Sequence, residues 1–321
     1  MRILRARGWF SSRQCMGQAV TPGRLFGYSS AFVATRYRPS PMFPIAKYSA
    51  AALLLLSVCS AQAADAFRVC ADPSNLPFSD KQGDGFENQI AGLFAKALHQ
   101  PLEYMWFPQR IGFIRNTLKA KQPDNDKAYL CDVVMGYPEE FDQVVTTKPY
   151  YRSTYALVYA KRAPGLAKLK SAADLDALDA DSRANLKIAM FDQSAGTPWL
   201  IKHGLADNAI PYPSMSGDAE KNTAEIIKDD MAAGKVDLAV LWGPIAAYVV
   251  SHTPKGQFAM LPLRSEEGIR FDFAMSMGVR HGDDERKKQL DQLIEGKSKE
   301  IKAILKRFGI PLVNKDGSLI K

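Results

Sequence analysis

Residues 67–78 read Phe67-Arg68-Val69-Cys70-Ala71-Asp72-Pro73-Ser74-Asn75-Leu76-Pro77-Phe78. Phe67–Cys70 predicts a short strand, and the two prolines beside Asp72, Ser74 and Asn75 predict that it runs into a loop. Gly85 to Leu98 follows, with Phe86, Ile90, Leu93, Phe94, Ala97 and Leu98 at helical spacing. Leu102–Phe107 predicts another strand, Ile111–Ala120 a helix, and Cys131–Met135 an apolar third strand that stops at Gly136. Lys121–Lys127 reads as a polar surface insertion. The order β-α-β-α-β implies a parallel sheet covered by helices.

A second series starts at the strand Tyr155–Tyr159, after which Ala163-Pro164-Gly165 breaks the chain. Ser171-Ala172-Ala173-Asp174 has capping-box spacing and predicts a short helix. Lys187–Phe191 predicts a strand, and Gly196-Thr197-Pro198 opens a helix, proline being suited to a first turn. The helix Ala219–Ala233 and the strands Asp237–Leu241, Phe258–Leu263 and Phe273–Val279 come next. The charged stretch Asp283–Phe308 predicts a long helical region ended by Gly309 and Pro311. The expectation is an α/β fold of two lobes, each a mixed sheet flanked by helices, with a cleft between them. Residues 64–156 and 272–321 are assigned to lobe 1 and residues 157–271 to lobe 2. In such sheets, ligands bind at the carboxyl ends of strands.

Charge decides what the chain does not bind. Its 321 residues carry 42 Lys and Arg against 34 Asp and Glu, a formal +8. Residues 1–63 hold eight of those bases and no acid, so the remainder is balanced. Nucleic acid thus loses its electrostatic support as a partner. From Met42, Lys47 supplies a positive start, Ala50–Val58 an apolar run, and Ala61-Gln62-Ala63 a small-residue cleavage triplet. This is the layout of a Sec-type signal peptide within a 1–63 leader, its core too short to span a bilayer. The expectation is a periplasmic protein without a membrane span once mature. Residues 1–41 fit either an organellar transit peptide or an over-long reading with translation starting at Met42, and the second is preferred because the signal from Met42 is complete. Val58 before Cys59 argues against lipidation.

The mature chain keeps Cys70 and Cys131, a disulfide candidate in an exported protein, with two buried thiols as the alternative. Neither lies in a C-x-x-C and the four His are scattered, so no metal site is expected. No G-x-S-x-G, H-E-x-x-H, P-loop or strand-borne G-x-G-x-x-G is present. Asp72, Glu87, Asp132 and Asp192 are the acids available for paired-carboxylate chemistry, but acids beside strands and in first helical turns are more often caps or surface groups. No catalytic residue and no cofactor is expected.

In order and spacing, these pieces resemble the type II periplasmic solute-binding proteins, extracellular solute-binding family 3. Asp72–Phe78, Gly85-Phe86-Glu87, Cys131–Gly136, Lys148-Pro149-Tyr150-Tyr151 and Gln193–Thr197 carry the likeness over nearly all of residues 67–312. Trp106-Phe107-Pro108-Gln109-Arg110, Phe113–Leu118, Pro149–Tyr155 and Gly309–Val313 further resemble one branch, the quinoprotein-dehydrogenase-associated binding proteins of the MoxJ/XoxJ type. That resemblance implies a role beside a pyrroloquinoline-quinone (PQQ)-dependent methanol or alcohol dehydrogenase, with the dehydrogenase itself as partner. It also makes the strands of Cys70 and Cys131 neighbours, and so implies their disulfide. The alternatives are substrate capture for an ABC permease, with a small polar or aromatic solute, or an enzyme on this fold such as a dehydratase.

Amino-acid binders of the family hold the ligand carboxylate with an Arg after the third strand and its ammonium with an Asp in the second lobe. Here those runs are Tyr137-Pro138-Glu139-Glu140-Phe141-Asp142 and Leu241-Trp242-Gly243-Pro244, without either anchor. The candidate cleft residues are Asn75 and Phe78 in the first loop, the aromatics Trp106, Tyr137, Tyr150 and Trp242, and Arg110 and Arg152 as substitute anchors. Ser194, Gly196 and Thr197 add backbone N–H groups at a helix start.

Overall fold

The computed structural model describes residues 65–207, 209–214 and 221–320. The leader with its signal and cleavage triplet, and the opening of the helix expected from Ala219, lie outside the described residues. Ten strands form the main sheet: Phe67–Ala71 (β1), Leu102–Trp106 (β2), Val133–Pro138 (β3), Val145–Thr146 (β4), Tyr151–Ala160 (β5), Ile188–Phe191 (β6), Ala209–Tyr212 (β7), Leu238–Trp242 (β8), Phe258–Pro262 (β9) and Asp272–Val279 (β10). Their order is β7-β6-β8-β5-β10-β3-β1-β2, with β9 beside β5 and β4 beside β10. β1 runs parallel to β2 and β3, and β6 runs parallel to β7 and β8. The two parallel sets meet at β5. Its residues Tyr151–Thr154 pair antiparallel with β10, and Tyr155–Ala160 pair antiparallel with β8 and β9. One strand therefore belongs to both halves.

The principal helices are Phe86–Leu98 (α1), Gly196–Lys202 (α2), Thr223–Ala232 (α3), Gly243–Ser251 (α4), Asp284–Gly296 (α5) and Ser298–Arg307 (α6). On α1, Phe86, Ile90 and Phe94 recur every fourth residue and are wholly buried against Phe67, Val69, Val133 and Met277. Leu290, Ile301 and Leu305 of α5 and α6 complete the same core, so the end of the chain returns to its first half. In the second half both faces of β5 are covered. Leu157 and Tyr159 pack with Ile188, Trp199 and Val240 on one side, while Ala156, Val158 and Ala160 pack with Ile227, Met231 and Val249 on the other. Burial on both faces explains the near-continuous apolar run of this strand. Each such Leu, Ile or Phe contributes roughly 1.5–3 kcal/mol.

Two local expectations change and a third, the polar surface insertion, gains detail. The helix of 111–120 shrinks to one turn, Phe113–Asn116, because Thr117 leaves helical geometry with its hydroxyl bonded back to Phe113 O at 2.7 Å. The polar insertion is a hairpin of Lys121–Gln122 with Asn125–Tyr129, its Tyr129 ring lying 3.4 Å from Lys121 Nζ and 4.1 Å from the Arg280 guanidinium. The region 283–308 divides at Gly296-Lys297 into α5 and α6.

Cys70 and Cys131 form a disulfide with Cα atoms 5.5 Å apart. Val69 and Cys70 of β1 lie opposite Val133 and Val134 of β3, which brings Cys131, just before β3, within reach. The bridge packs with Phe113, Ile114, Leu118 and Val144. Asp132 beside it is buried and ion-paired with Arg68, Arg280 and Arg286, neither the cap nor the surface group expected of such an acid.

Candidate functional site

A cleft of about 460 Å3 opens where β1, β3 and β8 end. One wall is the loop after β1, which its own polar groups hold in place. Asp72 accepts from the Ser74 N–H (2.8 Å) and the Gln109 N–H (2.5 Å), and Asn75 Nδ2 donates to Gln109 Oε1 (2.9 Å). Asn88 Oδ1 accepts from the Asp80 and Gly85 N–H groups, fixing the entry into α1. The opposite wall comes from Ser214, Asn222, Thr223, Ala224, Trp242 and Ile245. Asn222 caps α3 by accepting from the Glu225 N–H (3.0 Å), and its Nδ2 donates across the cleft to Ser74 O at 3.2 Å. That bond holds the walls together.

The floor is organised around Glu87. It sits in the first turn of α1 and lines the cleft. The Tyr150 hydroxyl donates to its Oε1 at 3.0 Å. Gly136, at φ +75°, leaves the space the carboxyl occupies, since a Cβ there would lie 2.5 Å from Oε1. Burial pushes the Glu87 carboxyl up to about 7, against the opposing effect of the Tyr150 hydrogen bond. Burial and the nearby Glu87 charge in turn push the Tyr150 and Tyr137 phenols up. Also in the lining, Tyr155, Trp242 and Phe273 form a triangle of rings with centroids 5.4, 6.0 and 6.4 Å apart.

Of the residues singled out from sequence, Asn75, Phe78, Arg110 and Trp242 line the cleft, and Tyr150 reaches it through Glu87. Trp106 stands elsewhere, stacked on Tyr104 with centroids 4.5 Å apart. Tyr137 packs on Phe141 at 4.8 Å, away from the lining. The cause is a bulge. Ser276 and Gly278 of β10 face Tyr137 and Val134, so β3 carries one extra residue there. With Gly136 left-handed, Tyr137 joins Val134 in the disulfide cluster instead of following Met135. Arg152 is held by Asp272 at 2.6 Å. Thr197 acts locally, its Oγ1 donating to Phe191 O, while Ser194 Oγ accepts from the Gly196 N–H and also hydrogen-bonds the hydroxyl of the cleft-lining Tyr155. Gly196 approaches Val240 so closely that a Cβ would lie 2.7 Å from that side chain. Sequence reasoning set Glu87 aside as an ordinary helix-start acid, and it did not single out Gly136, Asn222 or Phe273. Among the described residues, no group of three or more acids, His or Cys is placed to hold a metal, and no helix is long and apolar enough to cross a membrane.

Two α/β halves sharing a strand, with a cleft at the strand ends, define a two-lobed binding protein of the type II periplasmic kind. The crystal structure of the periplasmic binding protein XoxJ from Methylobacterium extorquens AM1 matches with a TM-score of 0.60 and 30% identity, over 78% of this chain and 100% of that one. Protein MoxJ of Methylorubrum extorquens is 30% identical over 267 residues, 78% of this chain and 82% of that relative. Protein MoxJ of Paracoccus denitrificans is 28% identical over 276 residues, 82% of this chain and 95% of its own length. The chain belongs to the MoxJ/XoxJ family of periplasmic binding proteins. No family model matches it.

Proposed function

We propose that this chain is an exported, periplasmic accessory protein that binds a PQQ-dependent alcohol dehydrogenase and aids its maturation or activation. The observation that carries this reading is the charge layout of the cleft. Among the described residues, the second wall contributes no charged side chain, and the one cation of the lining, Arg110, is exposed on the rim with its guanidinium 5.4 Å from the Phe107 ring. A free α-amino acid carries two opposite charges, and burying either without a partner costs several kcal/mol. The carboxylate would have no buried cation to meet. A protein segment spreads its binding energy over apolar contacts and a few hydrogen bonds, which suits this lining. Ile111, 97% exposed beside Arg110, offers an apolar contact at the rim. Membership of the MoxJ/XoxJ family supports the same partner.

The test is a pull-down of the mature protein with the apo and holo forms of a co-expressed PQQ dehydrogenase, alongside a thermal-shift screen of amino acids. Capture of the dehydrogenase is the expected result. Stabilisation by a single amino acid, with no dehydrogenase captured, overturns the reading in favour of solute capture for a permease. N-terminal sequencing of the exported protein is expected to begin at or next to Ala64.

A further inference from the structure

We propose that the cleft floor is a subsite for an organic ammonium group, held by the Glu87 carboxylate in the cleft that Tyr155, Trp242 and Phe273 also line. This goes beyond the accessory role, because it names the chemistry of the group that enters the cleft.

Among the described residues, only Tyr150 hydrogen-bonds the Glu87 carboxyl, and it does so at Oε1. No ion pair among the described residues reaches this carboxyl, although the chain pairs its buried Asp132 with three arginines. Oε2 is left for whatever occupies the cleft. Asp72 differs, both its oxygens being taken by backbone N–H groups. A carboxylate without a cation, in a cavity that aromatic rings also line and that is sized for a small organic group, is the arrangement that attracts an alkylammonium. The raised Glu87 carboxyl agrees with this, since a cation already in place would hold it down. Gly136 and Tyr150 fix the carboxylate in advance, so the incoming group need not reorganise it. The titratable groups facing Glu87 are the phenols of Tyr104, Tyr137, Tyr150 and Tyr151, all pushed up and neutral near pH 7. Asp72 and Arg110 are the other charged groups in the lining.

The ammonium can belong to a free amine or to a lysine of a protein segment. The experiment is calorimetric titration of the mature protein at pH 8 with n-butylammonium and with Nα-acetyl-lysine methylamide, each paired with a neutral counterpart, n-butanol or Nα-acetyl-norleucine methylamide. The expected result is at least tenfold tighter binding of the charged member of a pair. Glu87→Gln abolishes that preference, and Trp242→Leu weakens the charged member severalfold. Tighter binding of the lysine amide than of butylammonium assigns the subsite to a peptide, and the reverse to a free amine. No preference for the charged probes, or a preference unchanged in Glu87→Gln, overturns the proposal. Because capture of the dehydrogenase is read separately, either idea can fail while the other stands.

Discussion

Replacing Glu87 by Gln keeps the shape of the side chain and its acceptor for Tyr150, and removes only the titration. In the folded protein this carboxyl is raised from 4.5 to about 7 by burial. Below 4.5 both folded and unfolded chains are protonated, and Glu87 has no effect on stability. Between 4.5 and 7 the folded chain binds more protons than the unfolded one, so stability falls as pH rises, and above 7 the whole penalty is present. The interval corresponds to about 3 kcal/mol, an upper bound because Glu87 retains some exposure to the cleft. From pH 5 to pH 8 the wild type is therefore expected to lose about 2–3 kcal/mol relative to Glu87→Gln, or about 5–10 °C in Tm. Urea denaturation of both proteins across that range measures the difference, and other titrating groups cancel. Parallel curves from pH 5 to pH 8 would refute the argument, since they would mean that burial leaves the carboxyl near its ordinary value.

Gly136→Ala places a Cβ 2.5 Å from Glu87 Oε1 on a backbone at φ +75°. It is expected to lower stability by about 2–4 kcal/mol, part conformational and part the lost Tyr150 hydrogen bond. In a double-mutant cycle with Glu87→Ala, the two effects are expected to be non-additive by about 1 kcal/mol or more. The double change Cys70→Ser, Cys131→Ser is expected to cost about 2–5 kcal/mol in urea denaturation while leaving ligand titrations unchanged, because the bridge packs away from the cleft. Asn222→Asp keeps the α3 cap and loses the donor to Ser74 O. Small-angle scattering is expected to show a more open particle, with less than about 1.5 kcal/mol lost in stability.

The fold was legible because its strands are apolar and its helices periodic. The spacing of Phe86, Ile90 and Phe94 reads out a buried face directly. The disulfide was open between bridge and free thiols until the family resemblance placed both strands side by side. The site was legible only in part. Asn75, Phe78 and Arg110 follow from loops that must lie at strand ends. Tyr137 did not, because its place at a strand end says nothing of the bulge at Gly136, which shifts the phase by one residue. Glu87 was hidden for a different reason. An acid in a first helical turn is ordinarily explained by the helix dipole. What sets this one apart is contact with Tyr150, 63 residues away, and no local pattern carries such a pairing.

The placement of β5 and β10 also sets an order of events during synthesis. The first half cannot finish its sheet until residues 272–279 exist, because β3 has β10 as its neighbour on the side away from β1. Ser153 likewise waits for Pro311, to whose carbonyl its hydroxyl donates at 2.8 Å, and Phe86, Ile90 and Phe94 wait for α5 and α6 to cover them. The second half draws its strands from one continuous stretch that emerges earlier, so its contacts close over shorter loops. A chain that folds as it emerges amino end first is thus expected to complete its middle before its beginning. Until the last helices arrive, the cleft has one finished wall facing an unpaired strand edge.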